Sequence, residues 1–308
     1  MIKRQKTAKT IISLRKKLVP EEQFRRYLTQ VGASPLTVRG YLADLTLFAT
    51  WFKEARGEKF APKAITPMDL RDYKSYLMTV RAAKPATVNR RLIAVSRFCR
   101  WAKSAGLIAD NPAEDIKLQK TQRLAPKSLT RQEQNALIRA VEKNGGKRDP
   151  AIIHLLLDAG LRLSELASLK RSDIDLSERK GWVRVRLGKG MKTREIPLNR
   201  DVRKALEEYF AVFEGKGDEP LFSGQRGPLS ANGIWEIVKK YAYQARLEHC
   251  SPHTLRHTFG KNLVDAGTPL DQVALLLGHE SLDTTKIYTA PRAADLEKAV
   301  ERVSVSEG

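Results

Sequence analysis

A β-hairpin is encoded by residues 182–198, which read WVRVRLGKGMKTREIPL. Apolar and charged side chains alternate over residues 182–187, the period of two that indicates a strand with one buried face. The turn carries Lys189 between two glycines, and residues 193–198 return as the second strand, with Pro197 near its end, where a missing backbone donor matters little. The hairpin predicts a small antiparallel sheet, and the chain after it reads as helical.

Upstream of the hairpin, an arginine stands at a boundary between two helices. Residues 160–166 read GLRLSEL, and the glycine ends a helix that begins at about Pro150. Arg162 follows at the start of the next helix, and Glu165 three residues later can hold its guanidinium in one orientation. Arginine suits phosphate binding because its planar fork bonds two phosphate oxygens at once.

Downstream, polar side chains with acid, base or nucleophilic chemistry follow one another at short spacings. Residues 251–257 read SPHTLRH, so the proline can open a helix that carries His253 and Arg256 on one face. His279 follows a Leu-Leu-Gly sequence typical of a helix end, and Tyr288 comes nine residues later. Each feature alone is common in purely structural settings, but their order along the chain is informative.

Together these side chains supply one candidate for each task in breaking a DNA phosphodiester without water or metal. A hydroxyl must attack in line, cations must neutralise the phosphoryl oxygens, and an acid must protonate the departing sugar oxygen. Neither a phosphate-binding glycine-rich loop nor an acidic metal cluster is evident, so we expect no metal and no cofactor.

The first third of the chain has the pattern of a four-helix bundle. Proline follows Ser34, Thr66 and Lys84, where the first turn of a helix tolerates its missing N–H group, and the hydroxyls of Ser34 and Thr66 are predicted to cap their helices. The fourth helix, about residues 86–104, combines an apolar face with a basic one that suits either DNA contact or plain solvation. The candidate DNA-binding residues on it are Asn89, Arg90, Arg91, Arg97 and Arg100.

The charge balance indicates the class of partner. Fifty-six Lys and Arg against 35 Asp and Glu leave a formal charge of +21, which attracts polyanions and nucleic acid above all. No apolar run is long enough to span a bilayer and no signal peptide is recognisable, so we expect no membrane association and a cytoplasmic location. Cys99 and Cys250 are far apart, which predicts neither a disulfide nor a zinc site.

Two domains with separate cores are expected for 308 residues. A capping box at Thr130 and Glu133 marks the first helix of the second domain. The fold class is therefore mainly α, with a small antiparallel β-sheet in the C-terminal domain. The predicted segments are a basic N-terminal arm (1–19), a helical domain (20–110), a linker (111–127), a catalytic domain (128–290) and a C-terminal tail helix (291–308).

The ordered elements resemble those of the tyrosine recombinase family, which includes the phage integrases and the bacterial Xer recombinases. GLRLSEL, GKG in a hairpin, HTLRH, LLGH and a later tyrosine occur in that order, and the likeness extends over about residues 20–290. The layout is most similar to Xer-like site-specific recombinases. The resemblance implies a two-domain DNA clamp, with a helical core-binding (SAM-like) domain and an α+β catalytic domain.

The resemblance also implies a role for each site residue. Tyr288 would be the nucleophile that forms a 3′-phosphotyrosine intermediate, and Lys189 would protonate the leaving 5′ oxygen. Because a free phenol has a pKa near 10, a base must remove its proton; His253 is the first candidate and His279 a supporting hydrogen-bond partner, although the sequence leaves this choice open. The phosphate-binding arginines would be Arg162 and Arg256, with Glu165 in support.

Partners follow from the same resemblance. It implies double-stranded DNA and a homotetramer on two DNA sites, with a monomer or weak dimer when free. The tail is predicted to dock on a neighbouring subunit, packing in cis being the alternative. Target sequence, accessory proteins and the choice among integration, excision and dimer resolution are not encoded in recognisable form. A catalytically silent DNA-binding or repressor protein and a type IB topoisomerase-like enzyme are the competing functions.

Overall fold

The computed structural model describes residues 20–120, 127–186 and 193–279, together with Thr285 and Tyr288. The chain divides into two compact units, Met1–Arg123 and Leu124–Gly308. Each unit has its own hydrophobic core, and the fold is mainly helical with a small antiparallel sheet in the second unit, as predicted. The predicted basic arm, the hairpin turn with Lys189 and the predicted tail helix lie outside the described residues.

Four α-helices make up the described part of the first unit, and each begins at a proline. Ser34 Oγ accepts a hydrogen bond of 3.1 Å from the backbone N–H of Thr37, and Thr66 forms a capping box with Asp69. These caps satisfy backbone N–H groups that a helix start leaves unpaired. Because each cap directly precedes a proline, the Ser-Pro and Thr-Pro pairs located the helix starts correctly. The helices are α1 (Pro20–Gln30), α2 (Pro35–Arg56), α3 (Pro67–Thr79) and α4 (Pro85–Ser104).

Aromatic rings fill the core of the first unit. The ring centroid of Phe48 lies 4.9 Å from that of Tyr73 and 5.8 Å from that of Phe60, both in edge-on contacts. Phe24 of α1 meets Phe98 of α4 edge-on at 5.3 Å. Edge-to-face rings favour each other electrostatically in addition to the area they bury. Because the apolar face of α4 packs on this core, its basic side chains lie on the opposite face.

Helices also dominate the second unit. Thr130 and Glu133 form the predicted capping box at the start of its first helix, and the next helix begins at Arg148 rather than at the predicted Pro150. No helix in the described ranges has the length and apolarity needed to cross a bilayer. The helices are α5 (Arg131–Asn144), α6 (Arg148–Leu157), α7 (Leu163–Ala167), α8 (Arg200–Phe210), α9 (Ala231–Gln244), α10 (Pro252–Asp265) and α11 (Leu270–Leu277).

The sheet of the second unit contains the predicted hairpin and one further strand. The strands β1 (Ile174–Leu176), β2 (Gly181–Arg186) and β3 (Thr193–Pro197) are antiparallel in the order β1-β2-β3. Val183 of β2 pairs with Ile196 of β3, and both side chains are buried. The sequence did not predict β1, because a strand of this length is too short to show a periodic pattern.

A second pair of strands corrects the prediction that the chain is helical throughout after the hairpin. The strands β4 (Ser223–Gly224) and β5 (Gly227–Pro228) form a short antiparallel ribbon in the described part of the second unit. Gly227 adopts a φ of 110°, which favours glycine because it has no Cβ atom. The turn chemistry therefore interrupts the helical region between α8 and α9.

Candidate active site

Among the described residues, the buried carboxylate of Glu165 stands between three arginines. Arg194 donates hydrogen bonds of 2.9 and 2.8 Å to its two oxygens, and Arg162 Nη1 donates one of 2.7 Å. Arg256 Nη1 lies 4.0 Å from Glu165 Oε2. Burial raises the pKa of Glu165, but hydrogen bonds from Arg194 and Arg162 outweigh it and lower the pKa to about 2. The group keeps one negative charge against three positive ones, which suits an anionic ligand.

The two arginines predicted from the sequence are fixed by backbone carbonyls at helix ends. Arg256 donates a hydrogen bond of 2.6 Å to the carbonyl of Gly160 and another to that of Leu277. Arg162 Nη2 donates one of 2.7 Å to the carbonyl of Gly278, which ends α11 with a φ of 63°. Burial and the nearby charge of Arg162 lower the pKa of Arg256 to about 10, so it stays cationic at neutral pH.

Tyr288 lies buried within a cluster of histidines. Its hydroxyl oxygen is 3.0 Å from Nδ1 of His257, and Nε2 of His257 is 2.7 Å from Nε2 of His253. The ring of His279 is parallel to that of Tyr288, with a centroid separation of 6.2 Å and an interplanar angle of 8°. His279 Nδ1 is also 3.0 Å from the hydroxyl of Thr285. The phenol is thus in contact with groups able to accept and donate protons.

Burial and neighbouring cations keep these histidines neutral. Burial lowers the pKa of His253, and together with nearby positive charge it lowers the pKa of His257 and of His279 to about 4. Burial also raises the pKa of Tyr288, while the charges of the two sequence-predicted arginines act in the opposite direction. No group of three or more His, Cys, Asp or Glu side chains in the described ranges is arranged to hold a metal ion.

The described members of the predicted set lie in one site, but the sequence reasoning missed two of its residues. Arg194 lies two residues before Ile196 on β3, so both side chains share the buried face of the strand. This inward register was the signal that could have identified Arg194. His257 follows His253 by four residues, a spacing that puts both on one face of α10. Lys189 lies outside the described residues.

On α4, the first three candidate DNA-binding residues have partners within the first unit. Asn89 exchanges two hydrogen bonds with the backbone of Gln119, of 2.9 and 2.7 Å. Arg90 pairs with the buried carboxylate of Asp44, and Arg91 Nε lies 3.9 Å from the same group. Arg90 nevertheless remains 55% exposed, so its guanidinium is both oriented and accessible.

The other two candidates of α4 face solvent. The guanidinium of Arg97 lies 5.6 Å from the ring centroid of Tyr41, a cation–π contact that restricts its orientation. Arg100 is exposed one turn further along the helix. The basic face of α4 therefore offers side chains that are ordered to different degrees, and their contact with DNA stays a prediction.

Two family profiles match the chain, one in each unit. The profile described as the phage integrase family matches residues 127–295, and the profile of the phage integrase N-terminal SAM-like domain matches residues 22–106. The chain belongs to the phage integrase family. As an integrase-family member it carries the Glu165 cluster and Tyr288 within the region of the first profile.

Curated relatives and solved structures identify the type of integrase. Tyrosine recombinase XerC of Herpetosiphon aurantiacus is 33% identical, covering 92% of this chain and 95% of the relative, and XerA of Thermococcus kodakarensis is 33% identical, covering 93% and 95%. The crystal structure of XerA recombinase has a TM-score of 0.52 at 27% identity, covering 92% of this chain and 97% of that one. XerH bound to its difH substrate has a TM-score of 0.70 at 24% identity, covering 99% and 89%.

These findings confirm the predicted class of enzyme. The integrase described here is an Xer-like tyrosine recombinase, a site-specific recombinase that breaks and rejoins DNA through a tyrosine. The competing functions, a silent DNA-binding protein and a topoisomerase-like enzyme, have no comparable support among these relatives.

Proposed function

We propose that Tyr288 is the nucleophile of this recombinase, attacking a backbone phosphate of double-stranded DNA to form a 3′-phosphotyrosine link. Its main support is geometric: the hydroxyl of buried Tyr288 lies 3.0 Å from Nδ1 of His257, in the site that also holds Arg256 and Arg162. Burial raises the pKa of Tyr288, and the positive charges of these two arginines lower it by a smaller amount. The link preserves the energy of the broken phosphodiester, so attack by a different 5′ hydroxyl reseals the strand and exchanges it between two sites.

In this proposal, Arg162 and Arg256 bind the scissile phosphate. The Arg256 side chain is only 5% exposed and rigidly hydrogen-bonded, whereas the Arg162 side chain is 37% exposed and open to a ligand. Guanidinium groups that are already oriented before the substrate arrives stabilise the charge of the transition state without a reorganisation cost. Glu165 orients Arg162 through a hydrogen bond of 2.7 Å, and the backbone carbonyls of Gly160 and Leu277 orient Arg256. Each planar fork keeps further N–H groups for phosphate oxygens.

Proton transfers complete the reaction. Lys189 is the proposed acid that protonates the leaving 5′ oxygen, carried between the ends of β2 and β3. The phenol proton leaves towards the histidines, with His253 as the proposed base and His279 as a hydrogen-bonding support. The neutral state of these imidazoles supports the assignment, since only a neutral imidazole can accept a proton.

Double-stranded DNA is the proposed partner, bound by four protomers on two sites. The formal charge of +21 and the basic face of α4 support DNA binding. The solved XerH structure contains that enzyme's difH substrate, and its likeness in fold to this chain adds support. The tail beyond residue 290 is the proposed contact between protomers.

Covalent trapping tests the proposal. DNA that binds the protein is first selected from a random pool, and a nicked version of the selected site then prevents religation. Wild-type protein should give an SDS-resistant adduct, and Tyr288→Phe should give none. Tyr243→Phe is the matched control because Tyr243 is 85% exposed and outside the site. An adduct that persists in Tyr288→Phe, or relaxation of DNA without any selected site, would contradict the assignment.

A further inference from the structure

The contacts of the Tyr288 hydroxyl point to a second histidine in its activation. We infer that His257 accepts the phenol proton of Tyr288 directly and passes a proton on to His253, so that the two histidines form a relay. The inference rests on the proposed function of Tyr288 and changes its chemistry, because His253 then acts as the end of the relay and not as the group that touches the nucleophile.

Hydrogen-bond directions follow from the pairing of the two imidazoles. Nε2 of His257 lies 2.7 Å from Nε2 of His253, so one nitrogen carries a proton and the other accepts it. If Nε2 of His253 donated to Nε2 of His257, neutral His257 would carry its proton on Nδ1. The hydroxyl oxygen of Tyr288 would then accept a hydrogen bond from Nδ1, and the hydroxyl proton could no longer be donated to His257. If Tyr288 donates to Nδ1 over 3.0 Å, the hydroxyl proton of Tyr288 and the Nε2 proton of His257 each have an acceptor.

The relay moves two protons in one direction. The O–H bond of Tyr288 breaks and its proton passes to Nδ1 of His257, while the proton on Nε2 of His257 passes to Nε2 of His253. His257 ends neutral with its proton on the other nitrogen, and His253 becomes an imidazolium. The phenol oxygen forms a bond to phosphorus as the bond from phosphorus to the 5′ oxygen breaks, and that oxygen takes a proton from the proposed acid Lys189. Resealing reverses each transfer.

The packing around Tyr288 directs its hydroxyl to His257. Tyr288 is only 4% exposed and His257 only 7%, so bulk water does not offer a competing outlet for the proton. The ring packs in a cluster with Phe259, Val273 and Leu277. It also lies against Gly260, where a Cβ atom would come within 2.7 Å of Tyr288 Cζ. A side chain at this position would displace the ring, so the glycine keeps the contact between hydroxyl and imidazole.

His257→Asn separates two roles of this side chain, which are to hold the Tyr288 hydroxyl by a hydrogen bond and to transfer its proton. The amide oxygen of asparagine can accept the hydrogen bond that Nδ1 accepts, but asparagine cannot pass a proton on. We expect cleavage of the nicked site to slow by about 100-fold, the size of a general-base contribution, with DNA affinity unchanged. His249→Asn is the control because the His249 side chain is 62% exposed and lies beside Glu248, outside the histidine cluster.

A modified nucleophile and a modified substrate distinguish proton transfer by His257 from simple positioning of Tyr288. Replacing Tyr288 by a fluorinated tyrosine lowers the phenol pKa and should restore about 10-fold of the lost rate in His257→Asn. A 5′-bridging phosphorothiolate, whose sulfur leaves without an acid, should restore Lys189→Ala but not His257→Asn. Recovery of His257→Asn by the sulfur substrate, or none with fluorotyrosine, would overturn the relay.

A measurement on wild-type protein guards against a variant that fails to fold. On the phosphorothiolate substrate the acid's proton is not needed, so the cleavage rate should depend quadratically on the deuterium fraction of the solvent, as two moving protons require. A linear dependence would overturn the relay. Cleavage by His257→Asn within about threefold of wild type would also overturn it and leave the function of Tyr288 standing. Absence of any Tyr288 adduct in wild type would instead reject the proposed function.

Discussion

Arg194 donates two hydrogen bonds to Glu165, of 2.9 and 2.8 Å, and so joins β3 to the carboxylate that also orients Arg162. Its Nε also donates to the carbonyl of Leu276 near the end of α11, over 3.0 Å. Arg194 is 7% exposed, so the pair is shielded from solvent screening. The buried ion pair of Arg194 and Glu165 therefore connects β3 to Arg162 and to the end of α11.

Removing Arg194 should cost both stability and cleavage. Arg194→Ala leaves the Glu165 carboxylate buried with fewer donors, and breaking a buried pair in this way typically costs about 3 to 5 kcal/mol of the free energy of unfolding. The measurement is urea unfolding of the full chain together with the rate of adduct formation. Arg184→Ala removes a pair with Glu195 in which both side chains are 54% exposed, and should cost about 1 kcal/mol at most. Equal losses in the two variants would contradict the expectation.

Acid should weaken the protein through Glu165. Its pKa is about 2 in the folded chain against an ordinary value of 4.5, so its contribution to the free energy of unfolding is complete above pH 4.5 and is lost as the pH falls towards 2. Glu165→Gln removes this titration, and its unfolding free energy should vary less across that window than that of wild type. Urea titrations at a series of pH values measure the slope. An unchanged slope in Glu165→Gln would show that other groups account for the acid sensitivity.

Gly260→Ala should displace the ring of Tyr288 from its packed position. The added Cβ atom would lie 2.7 Å from Tyr288 Cζ, so the ring must move, and overpacking of this kind costs about 1 to 3 kcal/mol. We expect a lower thermal midpoint and slower cleavage, measured on the same preparation. Gly40→Ala is the control, because Gly40 lies within α2 and a methyl added there would meet no neighbour within 4 Å, and it should gain about 0.5 to 1 kcal/mol. Cleavage by Gly260→Ala at the wild-type rate would show that the contact of Gly260 with the Tyr288 ring does not position the hydroxyl.

DNA affinity should fall steeply with salt, since each neutralised phosphate adds about 0.9 to the slope of log affinity against log salt concentration. Arg100 is exposed on α4. If it contacts a phosphate, Arg100→Ala should reduce the slope by about 1, whereas Arg100→Lys should keep it because the charge remains. Fluorescence anisotropy at several salt concentrations gives the slopes. A slope that is the same for all three proteins would remove Arg100 from the interface.

Deleting residues 292–308 tests the proposed contact between protomers. The truncated protein should bind a single half-site with unchanged affinity but should not pair two sites, because the segment proposed to contact a neighbouring protomer would be missing. Gel-shift analysis of half-sites and of paired sites separates the two steps. Unchanged recombination by the truncated protein would reject a role of the tail in assembly.

Local signals in the sequence determined the helix starts, the hairpin and the class of enzyme. The caps at Ser34, Thr66 and Thr130 were correct because each depends on a side chain and a backbone N–H only three residues apart. The alternation that predicts β2 and β3 is equally local. The same reasoning missed β1 and the ribbon of β4 and β5, which are too short to show a period.

Only the tertiary structure decided which polar groups meet. Arg194 pairs with Glu165 across 29 residues and His257 meets Tyr288 across 31, and nothing within a few residues of either side chain specifies such a partner. Asn89 likewise turns out to hold the backbone of Gln119. A buried donor or acceptor must be satisfied by whatever the packing of helices and strands brings near it, and that packing is fixed by the whole core and not by the neighbouring residues.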